Sequence, residues 1–475
     1  MRRSAVAVLA GCTAAILIWI SVPAAEQATA QRRMVPSHAN QSAVPPVIVT
    51  AAPVYDSLAA LAGAERFPQA AHLMILRGDA QEPLAPQLAA SADADVAFDG
   101  KAVLFAGKRQ AGDPWQIWMQ GTDGGDPQLL MAAATDLIRP LWMPGGRMVY
   151  ARRTPAGFAL ESAELDGRNV QRLSFLRGNY IPDAVLRDGR ILFETGFPLG
   201  AGATPELFLV YADGSGVESV RCDHAHARGG REHARQMLSG DIVFTHGARL
   251  ARFTSASADE DPVAAPQGDY AGDVAELPDG RWALSVRRPG AQHDSLVLWN
   301  PGSQAAHEIA RDPQRDLVQP TVVASRAAPK RHPSGLHDWA TGNLLALDAR
   351  LSHSGPLAAA PSQVRAETLG PDGQTVALGT APVENDGSFF VQVKGDTPLR
   401  FELLDAQGRT VREEEGWFWV RRGEQRICVG CHTGPERAPD NRVPAVLLRS
   451  TTPVDLTGSA LQVARDGSST VRGGH

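Results

Sequence analysis

Short apolar strands recur along the chain, and each of them follows a turn that contains glycine. Five such turns are marked by Gly100, Gly146, Gly189, Gly240 and Gly280, so the steps between them are 46, 43, 51 and 40 residues. A repeat of about 40 to 50 residues that holds about four short strands is typical of β-propeller blades. Each blade buries its two faces against its neighbours. The pattern therefore predicts a β-propeller over residues 71–335.

The two ends of the repeat region predict how the ring closes. Five blades follow from the five turns. A sixth blade would combine Leu317 to Ala324 with the N-terminal strand Leu73 to Leu76, so that the first and last parts of the repeat region share one sheet. We predict six blades, with seven as the alternative.

A different pattern begins after the propeller region. Phe389, Val391 and Val393 share one face of an extended strand, and Gln392 and Lys394 lie on the other face. This period of two is typical of a half-buried strand. With neighbouring apolar segments, among them a predicted strand from Trp417 to Val420, it predicts a small antiparallel β-sandwich over residues 336–421, so the fold class is all-β. Residues 422–475 follow as a C-terminal segment, and its small, polar tail beyond about residue 450 is predicted to be loosely held.

The first residues have the pattern of an export signal. Two arginines precede an apolar run from Ala5 to about Val22, and small residues follow this run. Residues 1–30 are therefore predicted to be a signal peptide, cleaved after Ala25 or Ala30. The mature protein is expected to be periplasmic or secreted.

Two alternatives concern the same N-terminal region. The segment that ends at Cys12 also matches a lipoprotein cleavage box, which ranks second, and an uncleaved membrane anchor ranks third. No other apolar run is long enough to span a bilayer, so no membrane span is predicted in the mature chain.

Residues 31–70 are rich in Pro, Ala and Ser and are predicted to be a linker with little structure.

Composition narrows the class of partner. The chain has 475 residues, 46 Lys and Arg against 52 Asp and Glu, and a net charge of −6. There is no basic run, so nucleic acid is not an expected partner. The sequence also lacks a serine-hydrolase elbow, a P-loop and a dinucleotide-binding glycine pattern.

The main candidate motif for cofactor binding is residues 428–432, which read Cys-Val-Gly-Cys-His. C-x-x-C-H is the pattern for covalent attachment of a c-type haem. Cys428 and Cys431 would each bond one vinyl group, and His432 would supply an axial nitrogen to the iron. The alternatives are a small disulfide or half of a zinc site, although a zinc ribbon needs a second C-x-x-C. We predict one covalent haem c.

A second group of metal-binding residue types lies within the propeller region. The group consists of Cys222, Asp223, His224, His226, His233 and His246. In an extended chain alternate residues face the same side about 6.6 Å apart, which suits convergence of Cys222, His224 and His226 on one ion if the chain bends. A thiolate with imidazoles favours zinc. The alternatives are a buried free cysteine with surface histidines, or histidines that act as a distal haem ligand or proton donor.

Four arginines end two comparable strands of the repeat region. They are Arg152, Arg153, Arg287 and Arg288. Paired guanidinium groups can bind haem propionates or another anionic ligand. The alternative is that they are solvated at the strand ends.

The segment around the haem motif resembles that of hydrazine synthase alpha subunit-like proteins. In that family a strand ends in P-G-E-x-R-x-C-x-G-C-H, and residues 422–432 follow this pattern except that Arg422 replaces the proline. Residues 386–389 and 438–444 are also similar to the family. The resemblance covers residues 95–445 and implies a propeller followed by a middle domain that carries one haem c.

The resemblance also bears on the ligands of iron and zinc. In the family, a tyrosine four residues after the motif histidine ligates the iron, and the histidine turns toward a zinc that also binds a propeller cysteine. Glu436 occupies the matching position in this chain, so it is the alternative axial position and ligation by His432 is expected. Cys222 is the candidate for the propeller cysteine, which would imply a zinc ion.

These features predict an exported redox protein with a single haem, which acts on a small nitrogen or oxygen species and exchanges electrons with a partner protein. One alternative is a pure electron-transfer cytochrome with a six-coordinate haem. Another is a propeller that binds or scaffolds a partner, with a structural or sensory haem.

Overall fold

The computed structural model describes residues 44–197, 204–220, 229–255, 259–352, 356–414, 416–430 and 440–458. Almost all regular structure in these residues is β, as the sequence predicts. Six sheets form a propeller and two form a sandwich. None of the described helices is long and apolar enough to cross a membrane.

The propeller consists of six blades. In chain order, the first blade contains β1 Val47–Ala52, β2 His72–Arg77 and β3 Ala80–Pro83, and the second contains β4 Ala90–Val96, β5 Ala102–Lys108, β6 Gln116–Gly121 and β7 Gly124–Met131. The third contains β8 Leu137–Met143, β9 Arg147–Thr154, β10 Gly157–Glu164 and β11 Gln171–Arg172, and the fourth contains β12 Tyr180–Val185, β13 Ile191–Phe197, β14 Thr204–Val210 and β15 Glu218–Ser219. The fifth contains β16 Arg231–Gln236, β17 Ile242–His246, β18 Arg249–Phe253 and β19 Asp261–Pro262, and the sixth contains β20 Asp269–Tyr270, β21 Ala275–Glu276, β22 Trp282–Arg287, β23 Ser295–Trp299 and β24 Ala306–Ala310. A last strand, β25 Asp316–Val322, returns to the first sheet. We number the blades 1 to 6 in this order, and the first strand in each of blades 2 to 6 is the innermost.

Closure of the ring occurs in blade 1, where the order of strands is β25-β1-β2-β3. Val47 pairs with Val322 and Ile48 with Thr321, so the two ends of the propeller are joined by backbone hydrogen bonds. Six blades and the closing sheet are therefore confirmed. The predicted N-terminal partner is β2, but β1 lies between it and β25, so the prediction of an unstructured linker is wrong for Val47–Ala52.

The glycine turns that marked the repeat connect the first and second strands of the blades. At the turn after β12, Gly189 has φ +89, and a Cβ there would lie 2.2 Å from the carbonyl oxygen of Lys330. Asp188 Oδ1 accepts a hydrogen bond of 3.0 Å from the backbone N–H of Arg190. Only glycine combines this backbone conformation with so close an approach. We call the end of the propeller that carries these turns the glycine-turn end.

The sandwich contains β26 Thr341–Ala346, β27 Gln363–Leu369, β28 Thr375–Pro382, β29 Phe389–Lys394, β30 Arg400–Leu404, β31 Thr410–Glu413, β32 Gln425–Cys428 and β33 Val454–Asp455, with the helix α1 Ala445–Arg449. Its sheets have the orders β32-β26-β29-β33 and β28-β27-β30-β31. Phe389, Val391 and Val393 face the common core, as the alternation predicts.

Three details of the sandwich differ from the sequence prediction. The pairs β26–β32 and β29–β33 are parallel, so the sandwich is not wholly antiparallel. Residues 417–420 were expected to form a strand, but only an isolated bridge joins Phe418 to Leu399. Val454–Asp455 pairs with β29, so the prediction of a loosely held tail is wrong for these residues.

The sandwich packs on blade 4 at the glycine-turn end. Trp419 is 2% exposed and lies in a core cluster with propeller residues such as Tyr180 and Phe193. Its Nε1 donates a hydrogen bond of 2.8 Å to the carbonyl oxygen of Gly214. This contact fixes the start of the segment that continues into β32.

Candidate functional site

The haem motif begins at the end of β32, which lies on the edge of one sandwich sheet. Cys428 is paired in register with Ala346 of β26. The backbone N–H groups of Leu347 and Asp348 donate hydrogen bonds of 2.9 and 3.1 Å to the carbonyl oxygens of Cys428 and Val429. The thiol is half-buried and forms no disulfide within the described residues. Cys431, His432 and Glu436 lie outside the described residues.

Arg426 supports this cysteine from two residues upstream. Its guanidinium group donates to the carbonyl oxygen of Val217 in the propeller, and it also hydrogen-bonds the Cys428 sulfur. Burial raises the pKa of the Cys428 thiol, although Arg426 acts in the opposite direction. A thiol whose pKa is raised stays protonated near pH 7.

A hollow beside the motif completes this end of the sandwich. It is lined by Leu347, Asp348, Leu351, Val429, Asp440, Arg442 and Pro444. Several of these side chains are apolar, and Arg442 contributes a guanidinium group whose Nη1 lies 3.1 Å from Asp386 Oδ2. The lining is mixed, because Asp348 and Asp440 also contribute carboxylates and Arg442 lies close to both of them. Its apolar side chains could contact a haem ring, and its guanidinium group could contact a propionate.

The second predicted group is only partly within the described residues. Cys222, Asp223, His224 and His226 lie outside them. His246 ends β17, the second strand of blade 5, and its Nδ1 lies 2.7 Å from Glu260 Oε1. Because β17 starts at the glycine-turn end, His246 lies at the opposite end of the propeller from the sandwich.

The four predicted arginines lie at that same opposite end, each beside a carboxylate. Their pairs are Arg152–Glu161, Arg153–Asp136, Arg287–Asp294 and Arg288–Glu308, at 3.7, 2.7, 2.9 and 3.7 Å. These residues end β9 and β22 or directly follow β22, and both strands start at the glycine turns. The structure therefore does not bring these arginines to the strand that ends at Cys428.

His233 belongs to a feature that the sequence analysis did not identify. In each blade the innermost strand is interrupted once, and a polar residue occupies the interruption. The six residues are Asp93, Arg139, Asp183, His233, Asp273 and Gln319, and we call them the axial ring. All except Asp183 have positive φ, between 46 and 61 degrees. Such bulges turn a side chain away from the regular alternation and, in this propeller, toward its axis.

Hydrogen bonds join members of the axial ring across the propeller. Arg139 donates to both carboxylate oxygens of Asp273 at 2.8 and 3.1 Å, and to Asp183 Oδ1 at 3.2 Å. Gln319 Nε2 donates to Asp93 Oδ1 at 2.8 Å. A faint sequence signal existed, because single polar residues interrupt apolar strands in several blades, as in Ile138-Arg139-Pro140-Leu141. Sequence alone could not show that these interruptions meet.

One end of the axis is covered by residues 53–71, which connect β1 to β2 at the end away from the sandwich. We call this segment the axial cap. Arg66 donates two hydrogen bonds to the carboxylate of Asp93, one of them at 2.8 Å. The hydroxyl of Tyr55 lies 3.4 Å from His233 Nε2. The region predicted to be a linker therefore supplies part of the buried polar network.

The burial of this network changes the pKa values of its groups. Burial raises the pKa of Asp183 to about 6 and the pKa of Glu232 to about 7. Burial and the nearby carboxylates also raise the pKa of Glu194. Burial lowers the pKa of His233 to about 3, so the imidazole is neutral near pH 7.

Comparison with known proteins supports the family resemblance found in the sequence. The family described as the hydrazine synthase alpha subunit middle domain matches residues 358–433. Hydrazine synthase subunit alpha of Kuenenia stuttgartiensis is 37% identical over 60 residues, which are 13% of this chain and 7% of that protein. The resemblance to hydrazine synthase alpha-like proteins is confirmed.

The fold is also similar beyond the middle domain. A chain of the solved Kuenenia stuttgartiensis hydrazine synthase aligns with a TM-score of 0.73 and 18% identity, over 85% of this chain and 71% of that chain. The Tol-Pal system protein TolB of Anaeromyxobacter dehalogenans (strain 2CP-C) is 30% identical over 130 residues, which are 26% of this chain and 28% of that protein. This chain thus spans less than a third of the length of either curated relative.

Proposed function

From the relation of this chain to the hydrazine synthase alpha-like family, we propose that it is an exported redox protein with one covalent haem c. Cys428 and Cys431 would form the thioether bonds, and His432 would ligate the iron. The observation that carries this proposal is the extent of the family match, because residues 358–433 include the sandwich strands from β27 to β32 and the complete C-x-x-C-H motif.

The residues around Cys428 fit the group. The thiol is free and half-buried, and β26 and Arg426 fix its position. Leu347, Leu351 and Val429 contribute apolar side chains to the hollow beside the motif, and Arg442, which is paired with Asp386, contributes a guanidinium group. When bound, the haem supplies one-electron chemistry at its iron.

The proposed reaction takes place at an iron whose sixth position is open to a small nitrogen or oxygen species. Two described histidines were candidates for that position, and neither supports six-coordination. His233 is buried at the propeller axis beside Tyr55, and His246 is close to Glu260 at the capped end. His224 and His226 lie outside the described residues, and a six-coordinate electron carrier is the outcome if one of them binds the iron.

The proposal includes a compartment and a partner. Covalent attachment of haem c in bacteria takes place outside the cytoplasm, and residues 1–30 have the pattern of an export signal. The function therefore belongs in the periplasm or outside the cell. A redox partner protein supplies or removes electrons, and the curated hydrazine synthase relative is itself named as a subunit.

Optical spectra of the purified, reduced protein test the reaction class. A shift of the Soret band on addition of carbon monoxide is expected, because an open iron position binds this ligand. No shift would contradict the small-molecule proposal and favour the electron carrier. A Cys431→Ala variant is the companion test of attachment, since it should lose normal two-thioether haem, whereas Cys222→Ala should keep it.

A further inference from the structure

We propose that the propeller axis also holds a divalent first-row transition-metal ion of the zinc or manganese type, bound by Asp183, Glu194 and His233. This site is separate from the haem motif, and it uses neither the cysteine nor the histidines of the predicted zinc site upstream of residue 229. Asp183 and Glu194 belong to β12 and β13 of blade 4, whereas His233 belongs to β16 of blade 5. The ion would therefore cross-link two neighbouring blades.

The geometry brings one ligand atom from each residue to the same place. These atoms lie within 4.8 Å of one another, and the three residues are at most 2% exposed. Ligands that are about 2.0 to 2.2 Å from a zinc ion lie about 3 to 4 Å from one another. The side chains need to move inward by less than about 1 Å, which is within reach of side-chain adjustment.

An independent observation comes from the His233 ring. Its Nε2 lies 3.4 Å from both the Tyr55 hydroxyl and Glu232 Oε2, while its Nδ1 is buried and has no hydrogen-bond partner among the described residues. Buried polar atoms are rarely left unpaired. The backbone N–H of His233 donates to Glu194 Oε2 at 3.0 Å, so the histidine and this carboxylate are held together. A metal ion would satisfy the unpaired nitrogen.

The charge of the network points to a cation. Five carboxylates belong to it, namely those of Asp93, Asp183, Glu194, Glu232 and Asp273. Three guanidinium groups belong to it, namely those of Arg66, Arg139 and Arg235. The fully ionised network therefore carries two excess negative charges, which one divalent ion balances.

The ligand types select the class of metal. Two carboxylates and one neutral imidazole suit borderline ions such as zinc and manganese. Calcium and magnesium prefer sites made only of oxygen atoms, and no thiolate is present among these three ligands to favour a softer ion.

Metal analysis of the full chain tests this proposal. The protein is treated with a chelator, incubated with zinc chloride or manganese chloride, desalted and analysed by mass spectrometry for both metals, with haem iron measured separately. We expect uptake of one zinc or manganese ion per chain, and at least a tenfold loss of affinity in Glu194→Gln. Glu161→Gln, which changes a buried carboxylate of blade 3 away from the site, should bind like the wild type.

Two further measurements separate this site from the others. Cys222→Ala should retain the ion, and loss of the ion in that variant but not in Glu194→Gln would overturn the proposal. Cys431→Ala should lose haem iron but retain zinc or manganese, so the haem proposal can fail on its own. If Glu194→Gln does not fold, the metal response of the chelator-treated wild-type protein still tests the site. Its thermal midpoint should rise on addition of the metal, and no rise together with no uptake would contradict the site.

Discussion

Arg139 and Asp273 meet across the propeller axis, joined by two hydrogen bonds of 2.8 and 3.1 Å. The residues are 134 positions apart in the sequence and belong to blades 3 and 6, which face each other across a six-bladed ring. Both side chains are almost fully buried. A paired charge of this kind fixes the relative positions of opposite blades, and removal of one partner leaves the other uncompensated.

Replacement of Arg139 by Met should therefore destabilise the propeller strongly. We expect a loss of about 3 to 5 kcal/mol in the free energy of unfolding, because the Asp273 carboxylate stays buried with less compensation. Urea unfolding followed by tryptophan fluorescence measures this loss. The double variant Arg139→Met/Asp273→Asn should recover part of it, and a double variant with the sum of the two single losses would contradict direct coupling.

Trp419 should control the attachment of the sandwich to the propeller. Truncation to Ala removes a buried indole that packs against blade 4 and donates to Gly214, at an expected cost of about 3 to 5 kcal/mol. Limited proteolysis should then cut the connection around residues 325–340 faster than in the wild type. Trp339→Ala is a matched control, because that side chain is 50% exposed and its loss should leave the rate nearly unchanged. Equal rates for both variants would contradict this role of Trp419.

Protonation of Asp93 should contribute to the decrease in the free energy of unfolding in acid. Burial opposes ionisation, but Arg66 and Arg139 outweigh it and lower the pKa of Asp93. Because the folded pKa lies below the unfolded value of about 3.9, the stabilising contribution is present above about pH 4 and is lost as the pH falls through the folded pKa. Unfolding measured between pH 6 and pH 3 should show a steeper loss in wild type than in Asp93→Asn. Parallel curves for the two proteins would contradict the assignment.

Ring closure should depend on β1. Val49 lies in a strand with neighbours on both sides, so Val49→Pro removes a backbone donor and introduces a ring into the closing sheet. We expect a loss of about 3 kcal/mol or more, measured by chemical unfolding. Ala111→Pro, at an exposed turn position, should change stability little. Similar behaviour of both variants would indicate that closure contributes little to the stability of the propeller.

The sequence predicted the elements whose signals are local. Glycine turns such as the one at Gly189 mark the blades, and the alternation around Val391 marks a sandwich strand, because each pattern depends on neighbouring residues. The position of β1 was missed since six residues within a Pro-rich and Ala-rich region carry little periodicity of their own. Its identity as a strand depends on partners more than 260 residues away, as in the pair Val47–Val322.

The candidate sites also differ in whether their sequence signals are local or depend on distant residues. Cys428 could be assigned to a haem motif from five consecutive residues, and the structure adds its place at the end of β32. His233 was a candidate metal ligand from the sequence, but its partners Asp183 and Glu194 could not be foreseen, because the cluster depends on bulges in two blades and on burial. Arg152 and Arg287 were grouped correctly as strand ends, but only topology shows that those ends lie away from the sandwich.

The central claim is covalent haem attachment at residues 428–432, and mass spectrometry tests it most directly. The full chain is produced in bacteria that contain the c-type haem maturation proteins, and the denatured protein is digested and mapped. We expect haem to remain bound to the peptide that contains Cys428, Cys431 and His432, and the Cys428→Ala/Cys431→Ala variant to carry none. An unmodified wild-type peptide, or covalent haem on another peptide, would contradict the account.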